Sequence, residues 1–92
     1  MNSSLLHFTD GYFLSSKGEV ANVVNVIEDD STIYRFTGTA KKLIEKIYAR
    51  TSYQDVLTEL GRLHPEQDTA ANEEFLKRFL ADLQKMGVLP SN

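Results

Sequence analysis

The chain contains no cysteine and no tryptophan, and only two prolines and two histidines in 92 residues. Without cysteine there is no disulfide, no thiolate nucleophile, no iron–sulfur cluster and no cysteine-bound zinc. His7 and His64 each lie near an element boundary with no second ligand at a metal-binding spacing, so both read as plain surface residues. Long apolar runs are missing too: no stretch approaches the ~20 residues of a spanning helix. Met1-Asn2-Ser3-Ser4 lacks the basic start and apolar stretch of a secretory signal, so the expected address is cytoplasmic, away from membranes. Positive charge is scarce, with 10 Lys and Arg against 13 Asp and Glu and a formal net charge of −3. Affinity for nucleic acid grows with clustered cations that neutralise phosphates, so nucleic acid is not expected as a partner.

Catalytic constellations are equally sparse. No serine or threonine has a histidine or lysine at a motif spacing, and there is no glycine-rich loop to cradle phosphate. Glu73-Glu74 falls in the expected first turn of a third helix, where the helix dipole favours negative charge without any acid–base role. Lys41, Lys42, Glu45 and Lys46 recur at i,i+4 and read as a solvated helix face. The expectation is a protein that is not an enzyme and needs no metal and no cofactor.

What is present is patterned. Tyr12-Phe13-Leu14, Val20 to Ile27 and Thr32 to Phe36 are rich in aromatic and β-branched residues, which favour strands. Ser16-Lys17-Gly18 and Glu28-Asp29-Asp30-Ser31 supply turn chemistry between them, so the first third predicts a three-stranded meander. After Phe36 the apolar period becomes helical. Ala40, Leu43, Ile44, Ile47 and Tyr48 form one stripe, with Thr37 or Thr39 as its cap; Tyr53, Val56, Leu57, Leu60 and Leu63 form a second, capped by Ser52 with Asp55 three residues on. Pro65 within His64 to Asp68 makes a loop, and from about Ala70 to Met86 a third helix carries Phe75, Leu76, Phe79, Leu80 and Leu83 before ending at Gly87. The expected fold class is α+β, a winged-helix-like β3α3 unit in which a three-stranded antiparallel sheet, about 12–36, precedes three helices, about 39–86. At 92 residues it makes a single domain with one core.

In a meander the last strand keeps one side of its backbone unpaired. Thr32, Ile33, Tyr34, Arg35 and Phe36 include no proline and no dense charge to blunt that edge, so a guest strand can add there. Phe75 and Phe79, at helical spacing, read first as core residues and also as candidates to line a pocket beside such a guest.

Three segments resemble the PqqD-like family: Phe36-Thr37-Gly38-Thr39-Ala40 with Leu43-Ile44, Thr51-Ser52-Tyr53-Gln54-Asp55-Val56-Leu57, and Phe79-Leu80 with Leu83 and Met86-Gly87-Val88-Leu89. Thr37 stands where that family usually has Asn, and Ala49-Arg50 where it often has an acidic residue and glycine. The family includes recognition elements for ribosomally made, post-translationally modified peptides. The resemblance implies that this chain binds a precursor's leader peptide along its third strand and against Phe75, Arg78, Phe79 and Asp82 of the third helix. It also implies a separate modifying enzyme acting in trans, often a radical S-adenosylmethionine maturase. Arg35, Arg78 and Lys85 would meet acidic leader residues, tuning selectivity more than affinity. Two rival readings share the architecture: a winged-helix DNA-binding protein, and a small adaptor or homodimerisation domain. Glu73, Glu74 and Asp82 against Lys77, Arg78 and Lys85 leave the third helix near neutral, which disfavours the first.

Overall fold

The computed structural model describes residues 5–26 and 33–90. Its elements run β1 (Tyr12–Lys17), β2 (Val20–Asn25), β3 (Ile33–Thr37), α1 (Gly38–Tyr48), α2 (Tyr53–Leu63) and α3 (Thr69–Met86). The expected α+β, β3α3 arrangement is thus the observed one. Ile27, the turn expected from Glu28 to Ser31, and Thr32 lie outside the described residues.

Both strand pairs are antiparallel, in the order β1-β2-β3. β1 is longer than Tyr12-Phe13-Leu14, because Ser15, Ser16 and Lys17 continue the ladder opposite Asn22, Ala21 and Val20. Pairing of Lys17 with Val20 leaves only Gly18 and Glu19 in the turn, and Gly18 takes φ +62. A two-residue hairpin needs positive φ, which glycine adopts without steric cost. Alternation places Tyr34 and Phe36 on the same sheet face as the fully buried Val23 and Ala21, the face that packs on the helices. Ile33, Arg35 and Thr37 project from the opposite face.

The core joins Ala21 and Val23 of the sheet to Leu43, Ile44 and Ile47 of α1, Val56, Leu57 and Leu60 of α2, and Leu76 and Leu83 of α3. These are the expected stripes, narrowed at their margins: Tyr48 is 40% exposed, its ring resting edge-on against the buried Phe8 at 4.9 Å. Phe8, Val88 and Leu89 complete the core from outside any helix or strand. The segment before β1 is held by backbone hydrogen bonds, from Leu6 to Thr51 and back, and from Thr9 to the Val88 carbonyl.

The caps follow side-chain chemistry. Ser52 accepts from the Asp55 amide at 3.1 Å, as its spacing predicts. Thr37 occupies the N-cap of α1 but makes no side-chain cap bond. α3 begins at Thr69, capped by Asp68, whose carboxylate accepts from the Ala71 amide at 2.8 Å. The expected loop therefore ends in a cap, and Glu73-Glu74 lies beyond the first turn, which contains no acidic residue. Asp68→Ala is expected to lose about 1 kcal/mol, seen as a lower urea midpoint with an unchanged slope.

Candidate functional site

β3 is a terminal strand of the sheet, and among the described residues no strand pairs with its far edge. An unpaired edge is a row of backbone donors and acceptors ready for another strand. What makes this edge distinctive is its neighbour. Phe36, on the helix-packing face, meets Phe79 of α3 edge-to-face, with ring centroids 6.3 Å apart at 80°. Phe75 then stacks on Phe79 at 6.1 Å and 9°. Further along, the Tyr34 hydroxyl donates to the Met86 carbonyl at 3.4 Å. β3 and α3 therefore run in opposite senses, with Tyr34 beside the end of the helix and Phe36 beside its middle.

Helical geometry says what lies beyond the contact. At about 100° per residue, Phe79 sits roughly 60° from the core-facing Leu76, while Phe75 and Asp82 sit roughly 100–120° away on the same flank. That flank forms a shelf alongside the free edge of β3. Phe75, 42% exposed, is its apolar surface. Past the end of β3 the shelf opens into a depression of about 450 Å³ lined by Gln67, Asp68, Ala71, Glu74, Phe75 and Arg78. A guest longer than β3 therefore has surface to continue on.

The expected site residues divide accordingly. Tyr34, Phe36, Phe75 and Phe79 are brought together, and Asp82 shares their flank. Thr32 lies outside the described residues. Ile33, 59% exposed, and Arg35 belong to the strand but face away from the helices. Arg78 is exposed at the rim and pairs with Glu74 at 3.4 Å, a contact worth little in water. Lys85 is nine residues from Leu76, about half a turn round the helix, so it points away from β3. Helical spacing alone is enough to place it there.

Elsewhere, α1 and α2 are tied by the Thr39 hydroxyl, 2.8 Å from His64 Nε2, with His64 Nδ1 3.4 Å from the Glu66 carboxylate. His64 is thus a partly buried linker and not the plain surface residue its sequence position suggests. Hydroxyl, imidazole and carboxylate in this order also serve nucleophilic catalysis. Here Glu66 is two-thirds exposed and its contact long, and the group joins the start of α1 to the end of α2. No spacing motif signals a pair 25 residues apart. Two carboxylates are held below their ordinary range: Glu45 by hydrogen bonds from Lys41 and Ser16, and Glu59 by Arg62. Both shifts are those of carboxylates stabilised in the ionised form. Among the described residues no group of three or more potential metal ligands occurs, and no helix is long and apolar enough to cross a membrane.

Compared with protein-family models, with curated proteins and with solved structures, the chain finds no match in any of the three.

Proposed function

We propose that this protein is a non-catalytic peptide-binding module that receives the leader segment of a ribosomally made precursor as an added strand on β3 and holds it for a separate modifying enzyme. The observation that carries this reading is the free edge of β3 lying beside the aromatic shelf of Phe36, Phe79 and Phe75. Backbone hydrogen bonds from the edge would supply affinity, and the shelf would select an apolar side chain at alternate guest positions. The resemblance to the PqqD-like family points the same way, and a radical S-adenosylmethionine maturase is the kind of enzyme such a module would serve. Its contribution to the reaction is effective concentration: the leader is held while the core segment reaches the enzyme.

The test is a titration of the isotope-labelled chain with a synthetic peptide matching the N-terminal half of a short reading frame beside its gene. Saturable amide shifts concentrated in Ile33–Thr37 and Phe75–Asp82 are expected. Absence of shifts at ~1 mM peptide, where an interaction worth only about 4 kcal/mol would already show, overturns leader binding and leaves the adaptor reading. Light scattering on the same sample distinguishes a self-associating β3 edge from one that waits for a guest.

A further inference from the structure

A second concavity lies at the other edge of the sheet, beside the start of β1 and the link between α1 and α2. It encloses about 390 Å³ and is lined by His7, Thr9, Asp10, Phe13, Tyr48 and Arg50, among others. Its size is that of a small-molecule site. Because β1 and β3 are the outer strands, this cavity is separated from the β3 edge by the width of the sheet.

Arg50 is held in an unusual conformation. It follows Ala49, the C-cap of α1, and takes φ +76, its amide donating to the Ile47 carbonyl at 2.9 Å. Among the described residues every other positive φ belongs to a glycine. Glycine is the residue that this helix-ending position favours, since a side chain there crowds the backbone. A long charged residue is kept at a position where the fold alone would prefer none. Its guanidinium makes no ion pair with any described residue, although Asp10 lines the same cavity equally unpaired. Cation and anion thus face one space more than a salt-bridge distance apart.

The remaining lining groups complete a pattern. His7 Nδ1 lies 3.0 Å from the Phe8 carbonyl, which can only accept, so Nδ1 carries the proton and Nε2 of the neutral ring is left as an acceptor. Arg50 therefore offers donors, and Asp10 and His7 offer acceptors. Between them stand the rings of Phe13, 47% exposed, and Tyr48, 40% exposed.

From this arrangement we propose that the cavity binds an aromatic α-amino carboxylate, with its carboxylate on Arg50, its nitrogen donating to Asp10 (and, in a free ammonium, also to His7), and its ring packed between Phe13 and Tyr48. A free amino acid and the C-terminal residue of a polypeptide both present this chemistry. The site is independent of peptide binding at β3.

The experiment is an amide-shift titration of the full chain with L-phenylalanine, N-acetyl-L-phenylalanine and L-phenylalaninamide. Either or both of the first two should give saturable shifts in Thr9–Phe13 and Tyr48–Thr51, with a dissociation constant on the order of 1 mM for a ligand of this size. Preference for L-phenylalanine assigns the site to a free amino acid, and preference for the N-acetyl form to a chain terminus. The amide, lacking the carboxylate, should bind about tenfold more weakly than the better of the two. Arg50→Gly should lose binding by a similar factor while its melting temperature rises by about 4 °C, because the left-handed position is relieved. The proposal is overturned if neither carboxylate ligand gives saturable shifts, if the amide binds as tightly, or if Arg50→Gly binds as well as the unaltered chain.

Discussion

Leu76→Ala is expected to destabilise the fold by about 3 kcal/mol, whereas Phe75→Ala, one residue away, should change stability by less than about 1 kcal/mol. The contrast follows from placement. Leu76 is fully buried in the hydrophobic core, so truncation leaves a cavity that neighbours only partly fill. Phe75 is 42% exposed and, among the described residues, stacks only on Phe79, so removing its ring opens no interior space. In peptide binding the order reverses. If β3 receives a leader peptide as proposed, Phe75→Ala should weaken its binding by about tenfold, the loss of roughly 1.4 kcal/mol, while Leu76→Ala should bind nearly normally under conditions where it remains folded. Urea unfolding and the β3 titration read the two effects separately. A Phe75 variant that binds unchanged would remove the aromatic shelf from the site.

The second large effect is expected at Gly87. It ends α3 in the left-handed region at φ +88, its amide donating to Gln84, and a Cβ there would lie 2.7 Å from the Tyr12 hydroxyl. Alanine would incur about 1–2 kcal/mol for the backbone alone. Tyr12 would also have to move, and with it goes the bond its hydroxyl donates to the Met86 carbonyl. The total loss should reach about 2–3 kcal/mol. Gly87→Ala combined with Tyr12→Phe tests the cause: removing the crowded oxygen should recover part of the loss and leave the backbone share. If the double variant is no more stable than Gly87→Ala, the clash with Tyr12 is not the source.

The helices were legible in sequence because each carries a stripe at helical spacing. Leu43, Ile44 and Ile47, then Val56, Leu57 and Leu60, are buried as that spacing requires. Gly87 was legible as a C-cap for the same local reason. Phe8 was not: it lies in a segment with no period, and it is buried in a core it shares with Val88 and Leu89, its ring against Tyr48. Asn72 was hidden differently. It sits one helical turn before Leu76 on the core-facing line and is only 3% exposed, with no partner for its Oδ1 among the described residues, beside the narrow surface of Gly61. A polar residue on such a line interrupts the apolar pattern by which cores are found. At the candidate site, the meander topology made the free edge of β3 legible. The meeting of Phe36 with Phe79 was not, since it depends on how α3 crosses the sheet, and no local pattern encodes that.

The bonds that tie the beginning of the described chain to its end also order its synthesis. Tyr12 reaches the Met86 carbonyl across 74 residues, and Thr9 bonds to Val88. The β1–β2 hairpin, α1 and α2 rest on contacts between neighbours in sequence and can form as the chain emerges from the ribosome. The β1 end and the seat of Phe8 cannot close until Val88 has been added. Until then the nascent chain presents an uncovered apolar sheet face, and α3 with Val88 and Leu89 shields that face from association with other chains.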